Sequence, residues 1–341
     1  MNPVPVVVQT AWLGDALLSL PLLRAAARLT GRPALLVTRP PLLPLFQGDL
    51  AVEAVLPFDK HGRDSGPAGL LAAARRLRSA LAGRPAVALH PQGSVRSLLL
   101  TRLAALSPSI AFDTAPGRLL ADHAVARLPH RPWDELQLLT PLGGPPRPDP
   151  ADPLLLRRAP PQNLRVALCV GSARPTKRPS TATLGALARR LHAIRAEVLL
   201  MGSAAERPLA EAVARRCGHA CVDLTGQPLT EAAQTLSTCA LAIGGDSGLL
   251  HLAQAVGANV VALHGPTPAR PFERRLSPLQ GRRLAFSRGL PCQPCSHNGP
   301  PSCPLRHRDC LHLRPRDEER VWRLVTHLLH LRGLSTPVDI M

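Results

Sequence analysis

The chain has 341 residues, of which 45% are hydrophobic and 2% aromatic, and its formal net charge is +18. This length and composition exclude a disordered chain and allow two domains, with cores built from Leu, Val and Ala because tyrosine is absent. The charge predicts anionic partners, but nucleic acid is disfavoured because aromatic side chains for base stacking are few and the arginines are spread along the chain.

The first part of the chain alternates short apolar runs with helical patterns, which is typical of parallel βαβ units. The predicted strands cover residues 4–10, 33–38, 51–58 and 85–91. The predicted helices cover residues 16–29, 68–83 and 94–106. Pro21 lies inside the first of these helices, so we expect the helix to bend or restart there.

The domain boundary falls in a segment rich in proline and glycine. We expect an N-terminal domain over residues 1–145, a linker over 146–163 and a C-terminal domain over 164–341. In the C-terminal domain the alternation is clearer: about five strands with helical crossovers predict a doubly wound sheet. These strands cover residues 164–170, 196–202, 220–225, 240–245 and 259–265, and the helices lie near 180–195, near 205–216, from Thr230 onwards and at 249–256.

Polar residues follow two strands of the N-terminal domain. Asp15 comes just after the first strand, where a carboxylate could cap a helix or act as a general base toward an acceptor hydroxyl. Gln92 and Arg96 follow the strand 85–91 and are candidate partners for an acceptor. Because α/β folds bind ligands at the carboxyl ends of their strands, we expect these residues to face a cleft between the two domains.

The sequence GGDSG at 244–248 contains a tetrapeptide that also surrounds the nucleophile of chymotrypsin-like proteases. A nucleophilic Ser247 is disfavoured because the motif follows an apolar strand and opens a helix, and because Leu249 breaks the pattern GxSxG. A glycine-rich turn between a strand and a helix instead predicts a phosphate site, since the helix N-terminus favours anions. Asp246 is either part of this site or a structural cap of the helix.

Two further loops follow strands of the C-terminal domain. The loop 170–180 offers the hydroxyls of Ser172 and Thr176 and the ammonium group of Lys177, one of only two lysines in the chain. Glu206 opens the helix after the next strand and could accept hydrogen bonds from ribose hydroxyls. A solvated surface lysine and a glutamate that stabilises the helix dipole remain the structural alternatives.

These loops, in this order, resemble the lipopolysaccharide heptosyltransferases, glycosyltransferase family 9. The resemblance covers most of the chain, through GDALLSLPLLRA, PQGSVRS, GSARPTKRPS, MGSAAERPLAEAV and the block of about fifty residues that ends in ALHGPTP. It implies a GT-B fold, with two Rossmann-like doubly wound domains facing across a cleft. It also implies transfer of a heptose from ADP-heptose to an acceptor sugar of the lipopolysaccharide inner core, by an inverting mechanism that needs no metal.

The resemblance also assigns roles to individual residues. It makes Asp15 the catalytic base and Lys177, with Ser172 beside it, the group that holds the donor diphosphate. Glu206 matches the ribose-binding acid, and Thr225 and Gly226 lie where the family's backbone passes the adenine. The donor-contacting loop and helix comprise Asp246, Ser247, Gly248 and His251. Trp133 departs from the family, many of whose members have histidine there, so the acceptor is less well defined than the donor.

Eight cysteines occur, and four of them cluster within residues 291–311. In a cytoplasmic chain three interpretations of this group remain open. The cysteines bind a structural Zn²⁺, they form disulfides or act as redox-sensitive thiols, or they have no joint role. The four are Cys292, Cys295, Cys303 and Cys310. The other cysteines, at 169, 217, 221 and 239, are expected to be small buried hydrophobic residues.

No secretory signal or membrane-spanning apolar stretch is evident, so we expect a cytoplasmic protein. The resemblance places it at the inner-membrane surface as a peripheral protein, with a lipid-linked or lipopolysaccharide core acceptor. Two alternatives remain: another nucleotide-sugar glycosyltransferase or epimerase on the same fold, and a basic nucleic-acid-binding module whose binding would depend on salt.

Overall fold

Residues 2–127, 134–144, 164–269 and 281–331 are described by the structure, which is a computed structural model. The chain divides into two units, Met1–Asp152 and Pro153–Met341. The predicted linker, 146–163, and Trp133 lie outside the described residues.

The first unit contains a six-stranded parallel sheet in the order β3-β2-β1-β4-β5-β6. Its central strands are buried along their whole length, which explains why they read as continuous apolar runs rather than alternating ones. The strands are β1 (Val4–Gln9), β2 (Ala34–Thr38), β3 (Val52–Pro57), β4 (Ala86–His90), β5 (Ser109–Phe112) and β6 (His123–Val125).

The helices of the first unit include the predicted restart at Pro21. One helix ends at Leu18, and the next begins at Leu20 with Pro21 in its first turn, where the missing N–H costs no hydrogen bond. Gly31 then ends this helix in the left-handed conformation, with φ of 65°. The helices are α1 (Leu13–Leu18), α2 (Leu20–Thr30), α3 (Leu43–Phe46), α4 (Gly66–Leu81), α5 (Val95–Leu103) and α6 (Ala115–Leu120).

The second unit contains a six-stranded parallel sheet in the order β12-β11-β10-β7-β8-β9. The strands are β7 (Arg165–Cys169), β8 (Glu197–Met201), β9 (Val222–Asp223), β10 (Leu241–Gly245), β11 (Asn259–His264) and β12 (Arg283–Ser287). The helices are α7 (Thr181–Ala193), α8 (Arg207–Cys217), α9 (Leu229–Ser237), α10 (Gly248–Ala255) and α11 (Pro315–His330).

The two sheets share one topology. Each begins with a central strand, builds outward for three strands, and then returns to the other side of the first strand for the remaining three. The strand order therefore reverses between β1 and β4 in the first unit and between β7 and β10 in the second. In doubly wound sheets the crevice at such a reversal, at the carboxyl ends of the strands, is where ligands bind.

The prediction of two doubly wound parallel sheets is confirmed. The prediction of about five strands in the C-terminal half was one too few, because β12 was missed, as were β5 and β6 in the first unit. The helix α11, which lies against β10, β11 and α7, was also not predicted.

The two cores consist of aliphatic side chains, as the composition requires. In the first unit, strands β1, β2 and β4 pack against α4 and α5, with Phe58 as the one aromatic member of the cluster. In the second unit, β7, β8 and β10 pack against α7, α8 and α11, and Phe286 and Trp322 join them. Within the described ranges, no helix is both long and apolar enough to cross a membrane.

Candidate active site

The loops that follow β7 and β10 meet at the reversal point of the second sheet. The carbonyl oxygen of Lys177 lies so close to Gly245 that a Cβ added to Gly245 would overlap it. Lys177 itself is the last residue of a short 3₁₀ helix, Pro175–Lys177. Glycine at 245 therefore lets the loop after β7 cross the end of β10 and brings Lys177 beside Asp246.

Asp246 is the centre of this site. Its carboxylate is 4% exposed and is contacted by four side chains from four different segments. The contacts are Lys177 Nζ at 2.9 Å, Thr267 Oγ1 at 3.0 Å, His251 Nε2 at 3.3 Å and Arg283 Nη2 at 3.6 Å. A buried carboxylate is stable only when it is paired and hydrogen-bonded in this way.

These contacts determine the charge of Asp246. Burial raises its pKa, but the hydrogen bond from His251 and the charge of Lys177 outweigh burial and leave the pKa well below the ordinary value. Burial lowers the pKa of His251 more than the bond to Asp246 raises it. His251 is therefore a neutral imidazole that donates its Nε2–H to an ionised Asp246.

A chain of hydrogen bonds runs from Arg283 to Asp246. The donor Arg283 Nη2 lies 3.4 Å from His264 Nε2, so this nitrogen is the acceptor and Nδ1 carries the proton. Nδ1 lies 3.4 Å from Thr267 Oγ1, which donates to Asp246. Burial and the charge of Arg283 lower the pKa of His264 to about 4, which keeps this imidazole neutral as the chain requires.

Ser247 and the N-terminus of α10 lie next to Asp246. The alternative in which Asp246 is the cap of the helix does not describe this end: the N-cap is Ser247, and its side chain accepts no capping hydrogen bond. The helix begins at Gly248, and the N–H groups of its first turn have no partner within the helix. Among the described residues, the buried hydroxyl of Ser247 has no hydrogen-bond partner. The arrangement suits an anion that accepts from these groups.

Ser172 and Thr176 lie in the same loop as Lys177 and are buried. The Ser172 carbonyl accepts from Arg178 Nε at 2.8 Å, and its hydroxyl accepts weakly from the Arg174 N–H at 3.4 Å. Thr176 Oγ1 donates to the Pro300 carbonyl at 2.5 Å. The Thr176 proton is therefore used to fix the loop, whereas the Ser172 hydroxyl proton is available to a ligand.

Glu206 stands beside the loop after β7. A Cβ at Gly171 would overlap the Glu206 carboxylate, so glycine is needed there. Glu206 Oε2 accepts from the N–H and the hydroxyl of Ser203, both at 2.9 Å, in a capping box, and Oε1 lies 3.3 Å from Arg178. The alternative that Glu206 is a structural residue at the start of a helix is thus correct for part of its contacts.

Thr225 and Gly226 follow β9. Thr225 is buried, and both its N–H and its hydroxyl donate to Asp223 Oδ1, at 2.8 and 2.7 Å. Gly226 is exposed, with φ of 87°, and its N–H donates to the Gly202 carbonyl at 2.9 Å. Because only glycine adopts this conformation readily, the turn presents bare backbone at the strand edge.

The cysteine-rich segment, residues 291–311, lies against the site loops. Gln293 Nε2 donates to the carbonyls of His264 and Gly265, and the Lys177 side chain packs against Gly299, where a Cβ would lie 2.8 Å from Lys177 Cδ. Arg308 Nη2 donates to the Pro175 carbonyl at 2.7 Å. The segment thus helps to hold Lys177 and the loop after β11 in place.

The four cysteines of this segment are free thiols, so the disulfide alternative does not describe this structure. Cys295 is exposed and its thiol donates to the Cys292 carbonyl, and Cys310 packs at the edge of the core. Among the described residues, the compact set of metal-ligating atoms lies elsewhere, at His192, Cys217 and Cys221. Zinc binding by the cysteine-rich segment stays a prediction.

In the first unit, Asp15 lies in the first turn of α1 and is half-buried. Gln92 is exposed after β4, and both residues lie at the reversal point between β1 and β4. Arg96 is held by the loop 60–66: its Nη atoms donate to the carbonyls of Lys60 and Asp64 at 3.1 and 3.0 Å. Arg96 therefore uses its guanidinium donors to hold this loop, and the same donors would be needed for the predicted contact with an acceptor.

The structure thus brings together Ser172, Lys177, Asp246, Ser247 and His251 at one edge of the second sheet. The sequence prediction missed Thr267, His264 and Arg283. The first two lie in the block ALHGPTP at the end of β11. Polar residues at the end of an apolar strand were the signal that could have identified them. Arg283 begins β12, which was not predicted, so no pattern pointed to it.

Comparisons with known proteins bear on the family and the fold of the chain. The model of glycosyltransferase family 9 (heptosyltransferase) matches residues 74–304. Lipooligosaccharide heptosyltransferase 2 of Haemophilus influenzae is 39% identical over 75 residues, which are 20% of this chain. The match spans only 22% of that relative's length, about a fifth of it.

Solved structures with the same fold cover nearly the whole chain. A glycosyl transferase family 9 protein from Veillonella parvula aligns with a TM-score of 0.78 and 18% identity, over 97% of this chain and 98% of that chain. Heptosyltransferase WaaC of E. coli, solved with ADP, aligns with a TM-score of 0.71 and 20% identity, over 95% and 99%. These likenesses show the GT-B fold. The family match covers more than half of the residues, so the chain belongs to glycosyltransferase family 9 (heptosyltransferase).

Proposed function

We propose that the protein transfers a heptose from ADP-heptose to an acceptor sugar of the lipopolysaccharide inner core, with inversion at the anomeric carbon. The observation that carries the proposal is the site at the end of β10. There the ammonium of Lys177 is fixed by buried Asp246, next to the Ser247 hydroxyl and the first turn of α10. A diphosphate is the ligand that such a combination of cation, hydroxyl and helix N-terminus suits.

The donor diphosphate would bind to Lys177 and to the N–H groups at the start of α10. An ammonium group has three donors, and one of them is directed at Asp246. The remaining two, with the hydroxyls of Ser172 and Ser247, are available to phosphate oxygens. The solved E. coli relatives were crystallised with ADP and with an ADP-heptose analogue, which supports ADP as the nucleotide.

The nucleoside would lie along the edge formed by the turns after β8 and β9. Gly226 offers backbone there without a side chain, which suits the close approach of a flat base. Glu206 would accept from the ribose hydroxyls through the lone pairs that Ser203 and Arg178 leave free.

Asp15 would act as the general base. It would take the proton of the acceptor hydroxyl as that oxygen attacks the anomeric carbon and the bond to ADP breaks. Charge then develops on the leaving diphosphate, and Lys177 and α10 would stabilise it without a metal ion. By analogy with the deletion of one oxyanion-hole donor, the loss of Lys177 would raise the barrier by about 2.7–4 kcal/mol.

The acceptor would be a lipid-linked sugar at the cytoplasmic face of the inner membrane, contacted by Gln92. The net charge of +18 suits phosphates and acidic sugars on such an acceptor. The alternative of a nucleic-acid-binding module explains this charge but offers no role for the pairing of Lys177 with the buried Asp246.

The proposal is tested with Asp15→Asn and with ADP-heptose as donor. We expect transfer to fall by about 10²–10⁴-fold, because a positioned general base contributes this much, while ADP binding stays at the wild-type level. Calorimetric titration with ADP and a transfer assay on isolated inner-core acceptor measure the two properties. Asp113→Asn, an exposed carboxylate paired with Arg118, is the matched control.

Two results would contradict the proposal, one for the catalytic base and the other for the donor. Wild-type transfer by Asp15→Asn would remove Asp15 as the base but leave the donor assignment intact. Failure of the wild-type protein to bind any ADP ligand, with binding of UDP or GDP sugars instead, would replace ADP-heptose as the donor.

A further inference from the structure

A second group of chemically reactive side chains lies where α7 and α8 end. His192 is in the last turn of α7, and Cys217 is the last residue of α8. The helices approach closely, since a Cβ at Gly185 would lie 2.6 Å from Arg216 Cβ. The Arg189 guanidinium also donates to the Arg216 carbonyl. The ends of the two helices are therefore fixed side by side.

The chain after α8 turns back over this point. Gly218 ends the helix in the left-handed conformation, with φ of 72°, and β9 starts at Val222. The turn brings Cys221 Sγ to 3.9 Å from His192 Nε2. The ligand atoms of His192, Cys217 and Cys221 all lie within 4.8 Å of one another. The ring of His219, from the same turn, is 5.2 Å from the His192 ring, centroid to centroid.

We propose that His192, Cys217 and Cys221, with His219 as the fourth ligand, form a structural Zn²⁺ site. Two thiolates and two imidazoles are a common tetrahedral set for zinc, and three residues separate the two cysteines, as in many such sites. Zinc bonds of about 2.0–2.3 Å place tetrahedral ligand atoms about 3.3–3.8 Å apart, so small side-chain rotations of His192, Cys217 and Cys221 bring these three to bonding positions.

The surroundings also suit a structural rather than a catalytic metal. Cys217 is buried against the core of the second unit, and Cys221 packs on the same cluster from its half-buried position. His219 is exposed on the turn, with its ring beside that of His192. The expectation that Cys217 and Cys221 are merely small buried hydrophobic residues is therefore incomplete. The metal would tie α7 to the turn before β9, a strand of only two residues.

The test uses the full-length protein after dialysis against a chelator, titrated with Co²⁺ and followed by thiolate-to-cobalt absorption. We expect wild type to bind Co²⁺ through two thiolates at this site and to exchange it for Zn²⁺. Cys221→Ser and His192→Gln should each weaken binding more than about 100-fold, because even the loss of an outer-shell partner costs 10–100-fold. Two variants are used so that a folding defect in one does not decide the result.

The control is Cys239→Ser, a buried cysteine whose thiol donates to the Thr235 carbonyl, and it should leave binding unchanged. Cys303→Ser separates the cysteine-rich segment from this site. Binding that Cys303→Ser abolishes and Cys221→Ser does not would overturn the proposal, as would a disulfide between Cys217 and Cys221 in the native protein. The readout is independent of glycosyl transfer, so the two proposals succeed or fail separately.

Discussion

Asp246 is the residue on which the candidate active site depends most. Lys177, Thr267, His251 and Arg283 all direct donors at its carboxylate, which is almost completely buried. Without that negative charge, two cations would lie close together in a site of low dielectric. The carboxylate therefore both stabilises the second unit and sets the position of Lys177.

We predict that Asp246→Asn lowers the free energy of unfolding by about 3–5 kcal/mol, because the change leaves buried cations without their counter-charge. Urea unfolding followed by circular dichroism measures this. Asp113→Asn is the comparison, since the Asp113–Arg118 pair is exposed and contributes at most about 1 kcal/mol. Equal effects of the two substitutions would show that the Asp246 contacts add little stability.

His90 makes the stability of the protein depend on pH. Burial lowers its pKa from 6.5 to about 3. Between these values the unfolded chain binds one more proton than the folded chain, so stability decreases as pH falls through this range. The contribution is at most about 1.4 kcal/mol for each pH unit. His264, with a pKa of about 4, adds a second contribution in the same direction.

We predict that His90→Gln weakens this pH dependence, since glutamine takes up no proton in the unfolded chain. Unfolding in urea at several pH values between 7 and 5 gives the slope for each protein. His61→Gln, at an exposed position, controls for the loss of an imidazole. A slope that His90→Gln leaves unchanged would show that another group carries the dependence.

At the residue scale, sequence patterns identified some residues of the site in the second unit and missed others. Asp246 and Ser247 were predictable because they follow an apolar strand in a glycine-rich turn that opens a helix, and Lys177 because it is one of two lysines and lies in a polar loop after a strand. Thr267 and Arg283 were not, because their roles depend on how β11 and β12 align beside β10. That lateral order is a property of the sheet, and no local pattern encodes it.

At the scale of elements, α11 shows what the sequence left out. The helix covers 16 residues and packs Val321, Trp322, Val325 and Leu329 against the second sheet and α7. The predictions for this part of the chain concentrated on its cysteines, so the apolar spacing of 321, 325 and 329 was not used. The strand β6 was missed because it has only three residues, too few to show an apolar run.

We predict that Leu329→Ala lowers the free energy of unfolding by about 2–5 kcal/mol, because Leu329 is fully buried and its truncation leaves a cavity. Arg323→Ala, on the exposed face of the same helix, should change stability by no more than about 0.5 kcal/mol. Thermal and urea unfolding of both variants test whether α11 is part of the cooperative unit. Similar small effects would show that it is not.

At the scale of the whole molecule, the charge of +18 and the buried site should respond differently to salt. The screening length falls from about 10 Å at 0.1 M to about 3 Å at 1 M ionic strength, and exposed charges are screened far more than buried ones. Asp246 is buried and Lys177 is half-buried, whereas many of the arginines are exposed.

We therefore predict that raising ionic strength over this range releases the protein from vesicles of anionic phospholipid but preserves most of its affinity for ADP. Co-sedimentation with vesicles and calorimetric titration measure the two. Vesicles of neutral phospholipid are the control. A parallel loss of both kinds of binding would mean that the nucleotide is held by exposed charges rather than by the buried site.

The bond between Thr176 and the Pro300 carbonyl joins residues 124 positions apart. During synthesis, the loop that carries Lys177 leaves the ribosome long before the segment that fixes it. The nascent chain would thus hold a nearly complete second sheet while the nucleotide site is still unformed. Premature termination upstream of this segment would remove both the support of Lys177 and α11, so such a fragment would have neither a formed nucleotide site nor a complete second core.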